Sequence, residues 1–562
     1  MRQLRLKNTY SGNVEPLVPL DPSGKTVTMY SCGPTVYSFA HIGNFRSFLF
    51  ADVLRRTLTR HGYAVKQVMN ITDVGHMTED HLADASGEDK LSRAARELGT
   101  DPYKVAEHFE RAFVADAKTL GLAIYSGEEA DRPELHPKAT RHVPEMLAMI
   151  QRLLDRGFAY VVPSGEVYFE VSKFPDYGKL SGKVLEDLEA GARVAVREEK
   201  KDPRDFALWK VDDKHLMLWD PHSDSGWPAG DYERYRALAP KGVDARIKRG
   251  FPGWHIECSA MSRAHLAETI DVHTGGEDNI FPHHECEIAQ SQGAHGAPLA
   301  RHWVHGRHLL VNNRKMSKRD GTFFTVRDLL DPHGEGRTDL AKDLEKVGFP
   351  EGKTPANVLR FALVGAPYTQ PMNFSMELLA QAKASVERLQ SSYQRLSELA
   401  ATAAATDAAA ATPAIAELLQ KKSDAFDDAL DDNLNTANAI AAWFDLVTAL
   451  NQKEKDLSPG DAKEALRVMD GMDGVLGVLD RRVNAGLVTL ASMNDALAAG
   501  RVPLAEAPEG ALDAAAIEAL IFARHAARKA KDFAKADKLR DVFKARGVQI
   551  DDAAQGVRWK LL

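Results

Sequence analysis

The chain has 562 residues, 44% of them hydrophobic and 27% charged, the balance of a folded protein of three to four domains at roughly 150 residues each, which excludes a disordered or fibrous chain. Its 72 basic and 80 acidic residues leave a net charge of −8, which argues against wholesale nonspecific nucleic-acid binding while leaving room for a local basic face. No run approaches about 18 apolar residues, the opening MRQLRLKNTYSG lacks a signal peptide's apolar core, and 3 cysteines cannot frame a disulfide scaffold, so no membrane span and a reducing cytoplasm are expected.

Residues 26–32, TVTMYSC, read as a buried strand closed by the turn pair Gly33-Pro34. Phe45, Phe48, Leu49 and Val53 recur at i, i+3, i+4 and i+8, which predicts a helix stopping at His61-Gly62. Residues 64–72 give a second strand. Strand, helix, strand with short joins predicts a parallel sheet with a right-handed crossover. Ligands of such sheets lie at the carboxyl ends of strands, which here carry Cys32 and Thr72. No GxGxxG follows the first strand, so no dinucleotide motif is present. Residues 75–150 read as helical and polar. Residues 157–250, with Tyr168, Phe169, Trp209, Trp219 and Trp227, suit an inserted domain of small strands and loops. Sheet-like sequence resumes at Phe251 and runs to Val311, with residues 269–273 a strand ending at Gly275-Gly276. Beyond Phe374 the pattern is helical. The alanine-rich residues 399–411 before Pro413 read as a helix end and linker, and residues 424–451 as one helical stretch with Phe426, Leu430, Leu434 and Ala437 apolar. Residues 485–512 read as a second linker, ahead of nine basic residues between Arg524 and Arg546. Taken alone, that charge run is a solvated helix face.

Cysteines this rare invite the question of what each one does. Cys32 ends the first strand and Cys258 lies in GWHIECSAM. His283 and Glu287, four apart on a helix with Pro282 in its first turn, share one face with Cβ atoms roughly 5–6 Å apart. Two thiolates, an imidazole and a carboxylate from distant segments suit a four-ligand zinc site. Each piece alone has a plainer explanation: a strand-end cysteine packs as a small core residue, and adjacent histidines serve as polar surface. There is no CxxC pair, and Cys286, three residues from His283, is an equally available thiolate, so spacing leaves the site open. A second constellation concerns phosphate. His41-Ile42-Gly43-Asn44 stands at a helix start, where N–H groups and the helix dipole favour an anion, and Gly43 lets a ligand approach the backbone. Lys315 and Lys318, three apart in KMSKRDG, suit the charge that develops on a departing pyrophosphate. Apart, these are an ordinary helix start and a basic turn; together, flanking the cysteine segments, they point to nucleotide chemistry.

These motifs resemble those of the cysteinyl-tRNA synthetases, a family of class I aminoacyl-tRNA synthetases. HIGN matches the first class signature and KMSKR the second. The resemblance spans nearly the whole chain, through CGPTVYSFAHIGN (32–44), NITDVGH (70–76), FPDYGKLSG (174–182), DPRDFALWK (202–210), GWHIECSAM (253–261), FPHHECEIAQS (281–291), KMSKRDGTFFT (315–325) and ARKAKDFAKADKLRD (527–541).

The resemblance implies an α/β fold with a parallel, Rossmann-like catalytic domain in two halves (1–150 and 251–311) around an inserted connective domain (151–250). A connecting segment with the KMSKR loop (312–370), a helical bundle (371–485), and a linker with a C-terminal anticodon-binding domain (486–562) follow. It implies one Zn2+ held by Cys32, Cys258, His283 and Glu287; Cys286 stands where the family usually has Asn, though near enough to approach the metal. It implies ATP-dependent activation of L-cysteine, with Mg2+, and transfer to the 3′ end of cysteine tRNA. His41, Asn44, Lys315 and Lys318 are then catalytic, Asp278 holds the ATP ribose, and Thr72 and Trp254 shape the cysteine pocket. Zinc is suited to selecting this substrate, because an apolar pocket hardly separates cysteine from serine, whereas zinc takes a thiolate at about 2.3 Å and an alcohol far more weakly. A cytoplasmic monomer is also implied.

Three departures stand out. Asn44 replaces a frequent histidine but can still donate to phosphate. Arg319-Asp320 replaces Ser-Leu, and Val74-Gly75-His76-Met77 replaces a more acidic stretch. Two rival readings are a related cysteine ligase of mycothiol synthesis, disfavoured by the tRNA-binding tail, and a non-catalytic tRNA-binding relative, disfavoured by the intact ligands and lysines.

Overall fold

In a computed structural model of the chain, the expected strand–helix–strand unit folds as β1 (Thr26–Ser31), α1 (Ile42–Arg60) and β2 (Ala64–Met69). The structure describes residues 2–79, 86–183, 199–316, 321–334, 337–402, 410–480, 485–501, 503–504, 512–553 and 556–561. It divides into one unit of Met1–Lys383, Asp424–Ala442 and Gly474–Gly477, and a second of Ala384–Ser423, Trp443–Asp473 and Val478–Leu562.

In the first unit, α1 buries Phe45, Phe48, Leu49, Val53 and Leu54, each contributing about 1.5–3 kcal/mol when fully covered. Its start is a capping box: the His41 ring accepts from the Asn44 backbone N–H, and the Asn44 side chain accepts from the His41 N–H. It ends at His61, with Gly62 at φ 88°. Arg46 is buried on α1 and donates to the carbonyls of Arg307, Pro367 and Gln370, which ties the helix to those segments.

Two further strands complete the sheet, β3 (Ile270–Gly276) and β4 (Ala300–Gly306), in the order β4-β3-β1-β2 with every pairing parallel. The chain runs outward from β1 to β2 and re-enters at β3 on the other side of β1. That reversal opens a crevice at the carboxyl ends of β1 and β3. Between β2 and β3, residues 75–150 are helical as expected, except for a short hairpin, Met77–Glu79 with Ser86–Asp89. The aromatic-rich insertion forms an antiparallel sheet of Ala159–Val161, Val167–Phe169, Phe206–Lys210 and Phe251–Pro252. Its inward residues Phe169, Phe206, Trp209 and Trp219 are fully buried.

Three local expectations are corrected. Residues 424–451 are not one helix but two, Pro413–Asp431 and Thr436–Gln452, broken where Asn433 and Leu434 take φ of 61° and 50°. Residues 485–512 are not simply a linker: Ala485–Thr489 is a strand paired with Gly556–Leu561, which pairs in turn with Val548–Ala553, and Leu490–Ala498 is a helix. Pro282 does not open a helix. Ile280–His284 forms a wider π-type turn with Phe281 extended, and the α-helix starts at Glu285. The alanine-rich stretch continues a helix to Ala400, and residues 403–409 lie outside the described residues. In the second unit, Tyr393 donates to Asp470 and Arg388 to Thr448 between helices. The C-terminal sheet and its helices enclose Ile517, Leu520, Ile521, Phe543 and Trp559. No described helix is long and apolar enough to cross a membrane.

Candidate active site and metal centre

The crevice at the ends of β1 and β3 opens into a cavity of about 460 Å³. Cys32, Thr72, Trp254, Cys258 and His283 line it, and so do His41, Asn44, Asp278 and Lys315. Glu287 stands just behind, fully buried, with Oε1 2.9 Å from His283 Nε2. Ten of the eleven candidate side chains therefore converge on one place. Lys318, with Arg319 and Asp320, lies outside the described residues.

Glycines explain why the chain can come together so tightly here. A Cβ on Gly33 would stand 1.7 Å from the Asn70 carbonyl oxygen, so only glycine lets the chain after Cys32 pass beside residues 70–72. The helix α2 (Trp254–His265) carries both Trp254 and Cys258, and a Cβ on Gly253 at its N-cap would meet the Ala207 carbonyl at 2.2 Å. At the end of β3, a Cβ on Gly275 would strike His284 at 2.7 Å.

The helix α3 (Glu285–His295) and the turn before it bring the imidazole and carboxylate donors to the cysteines. Donor atoms of Cys32, His283, His284 and Glu287 all lie within 4.8 Å of one another. Cys258 is not one of these four donors; it lines the same cavity, with Sγ 3.7 Å from Asn70 Oδ1. His284 is a member of the cluster that sequence spacing did not single out. Its Nε2 is 3.1 Å from Cys32 Sγ and its Nδ1 2.8 Å from His305 Nε2, whose other nitrogen is 2.7 Å from Thr9 Oγ1. With Cys32 as a thiolate, one proton order satisfies this chain: Thr9 donates to His305, His305 to His284, and His284 to sulfur. His284 then presents a proton to the donor cluster, not a lone pair. Glu287 is held similarly, with Oε2 2.8 Å from His273 Nε2, and His283 Nδ1 is 3.0 Å from His255 Nδ1. Such outer contacts fix ligand orientation. Nothing in isolated spacing marks these histidines; the signal is their recurrence near the strand ends, in DVHTGG and HWVHG.

Ionisation within the cluster is mutually dependent. Burial opposes charge on Glu287, yet His273 and His283 overcome it and lower its pKa to about 2. Burial likewise opposes charge on His283, but Glu287 and Cys258 raise it to about 10. Burial resists ionisation of Cys258, but the neighbouring Cys32 and His283 bring the thiol down to about 6. Burial and the neighbouring Cys258 push Cys32 up. The donors thus stabilise anionic carboxylate and thiolate beside one cation, and a divalent ion would displace the protons of Cys32 and His283. The sulfur, imidazole and carboxylate donors of this group, with the Cys258 thiol on the same cavity wall, fit zinc. Cys286 is fully buried in the apolar core, with Sγ 3.4 Å from the Tyr177 hydroxyl, and does not line the cavity as Cys258 does.

Around the cluster, Asn70 accepts from the Gly33 N–H and donates to the Thr72 hydroxyl. The Trp254 ring stacks on His283 at 4.4 Å and on His76 at 4.2 Å. His41 packs edge-on against Phe323. Asp278 lies in the single turn Glu277–Asn279 that follows β3.

Residues 19–233 and 237–339 match the family model described as the class I tRNA synthetase (C) catalytic domain, and residues 425–480 match the DALR domain. Cysteine–tRNA ligases of Symbiobacterium thermophilum and Salinibacter ruber are each 39% identical to this chain, covering 99% of it and 99% and 98% of their own lengths. The chain belongs to the cysteine–tRNA ligase family. It is accordingly an enzyme of the class I aminoacyl-tRNA synthetases, and its match to other cysteine–tRNA ligases runs through the C-terminal residues as well as the catalytic ones. The fold is shared more widely. Mycobacterium tuberculosis methionyl-tRNA synthetase bound by methionyl-adenylate superposes with a TM-score of 0.51 at 12% identity, over 81% of this chain and 92% of that one. A LeuRS–tRNA complex from Agrobacterium radiobacter K84 gives 0.52 at 13% identity, over 82% and 85%.

Proposed function

We propose that this chain, with ATP and Mg2+, converts L-cysteine to cysteinyl-adenylate and transfers the cysteinyl group to the 3′ end of cysteine tRNA. The observation that carries the reading is the opening of a thiol–imidazole–carboxylate donor set and the HIGN helix start into one cavity. Cys32, Cys258, His283 and Glu287 would hold zinc, with His284 orienting Cys32. When bound, the zinc takes the substrate's sulfur as a thiolate and so favours cysteine over serine.

The chain's own residues supply positioning and charge. The N-terminus of α1 offers backbone N–H groups to the ATP phosphates, beside His41 and Asn44. Gly43 lines the cavity there and, lacking a side chain, leaves the backbone open to close approach. Lys315, with Lys318 of the same signature, steadies the departing pyrophosphate, Asp278 holds the ribose, and Thr72 and Trp254 bound the amino-acid pocket. A cysteine carboxylate oxygen attacks the α-phosphorus, pyrophosphate leaves, and a ribose hydroxyl of the terminal adenosine then displaces AMP. No side-chain nucleophile is needed. In this reading residues 1–150 and 251–311 are the catalytic halves, 151–250 the acceptor-end insertion, 312–370 the KMSKR segment, 371–485 the bundle and 486–562 the anticodon-binding region of a cytoplasmic monomer.

The test is cysteine-dependent ATP–pyrophosphate exchange on protein of known zinc content, followed by charging of a cysteine tRNA transcript. Chelation should abolish exchange and zinc should restore it. Cys258→Ser should weaken cysteine binding far more than ATP binding; equal losses of both, or exchange that persists without metal, would count against the reading.

A further inference from the structure

The departure at residues 74–77 lies on the cavity wall. Gly75 takes φ 77°, and the following His76 ring lies flat against Trp254, 4.2 Å away and inclined by 12°. Trp254 stacks in turn on His283, so three rings lead from the metal donors to His76. Both His76 nitrogens are engaged: Nδ1 is 2.7 Å from the Thr35 hydroxyl and Nε2 is 3.0 Å from Lys90 Nζ. An ammonium can only donate, so Nε2 accepts and Nδ1 carries the proton it gives to Thr35. Lys90 opens the helix Lys90–Leu98, reaches over the Tyr37 ring at 5.3 Å, and lines the cavity with His76 and Trp254.

Cysteine activation brings an anionic carboxylate against the anionic phosphates of ATP. A fixed ammonium on the wall of the cavity that holds the substrate offsets that repulsion with a charge-assisted hydrogen bond. We infer that Lys90 binds the carboxylate of the amino-acid substrate, and that His76 and Thr35 are positioning residues that aim its ammonium. This rests on the cysteine-activation reading above.

Two half-substrates separate the carboxylate from the rest of cysteine: 3-mercaptopropionate keeps thiol and carboxylate, and cysteamine keeps thiol and amine. Their binding to the zinc-loaded full-length enzyme is measured by calorimetry. Lys90→Met should weaken 3-mercaptopropionate about tenfold or more, as expected for one charge-assisted bond, and leave cysteamine within about twofold. Lys90→Arg should restore most of the loss. His76→Gln should give a smaller loss of the same fragment, with little added in the Lys90→Met background. Equal weakening of both fragments, or of neither, overturns the inference, as does normal exchange with lowered tRNA charging, which would assign Lys90 to the RNA. Absence of cysteine-dependent exchange in the unaltered enzyme would instead sink the function reading itself.

Discussion

Asp73 is fully buried beside Thr72 and accepts from the Thr140 N–H at 2.8 Å and the Thr140 hydroxyl at 2.6 Å. Burial outweighs both bonds and raises its pKa from 3.8 to about 6. Between those values the folded chain binds more protons than the unfolded one, so stability rises as pH falls from 6 towards 4. Above the folded pKa the full cost of a buried carboxylate is present. Asp73→Asn should therefore stabilise at pH 7 by up to about 3 kcal/mol and do little below pH ~4. Unfolding midpoints measured across that range would show it, and an unchanged pH slope in the variant would refute the assignment. Cys286 carries a related lesson. Its spacing from His283 made it an eligible ligand, and only the direction of its side chain, toward Tyr177, removes it. Cys32, His283 and Glu287 were legible as chemical types and fall in one donor group, but His284 of that group and the histidines around it were not, because their contacts cross from strand to helix.

Among the elements, β1, α1 and β2 were legible because local periodicity and tight turns determine them, down to the stop at His61-Gly62. The break between Pro413–Asp431 and Thr436–Gln452 was not, since Phe426, Leu430, Leu434 and Ala437 keep helical spacing straight through it. What breaks the helix is tertiary: Leu434 packs among Leu4, Leu6 and Tyr368. Beside it, Asn433 Oδ1 accepts from the Lys7 N–H at 2.7 Å and the Tyr368 hydroxyl at 2.6 Å. The strand Ala485–Thr489 was illegible for a similar reason, as its partner Gly556–Leu561 lies far along the chain. Asn433 has φ 61°, so Asn433→Ala loses two hydrogen bonds and forces a side chain that disfavours this conformation. The expected cost is about 2–4 kcal/mol, read as a lower unfolding midpoint. Asn433→Gly, free of the backbone penalty, should fall between the two; a neutral Asn433→Ala would show that these bonds do not hold the break.

Over the whole molecule, a net charge of −8 coexists with a concentrated basic surface. Arg528, Lys529, Lys531, Lys535, Lys538, Arg540, Lys544 and Arg546 are all exposed. Arg524 is the exception, buried and paired with Asp552 at 2.8 Å, so it serves the C-terminal core and not a partner. The cavity belongs to the first unit and this surface to the second, so amino-acid activation and RNA affinity should be separable by substitution. The combined changes Lys531→Glu, Lys535→Glu and Lys538→Glu should weaken binding of a cysteine tRNA transcript while cysteine-dependent pyrophosphate exchange stays intact. If these lysines neutralise phosphates, the slope of log affinity against log salt should fall by about one for each phosphate no longer neutralised. A chain that is acidic overall gains affinity only where its cations are gathered, so removing three of them should flatten the salt response as well as lower the affinity. Unchanged slope with unchanged affinity would place the RNA on another surface.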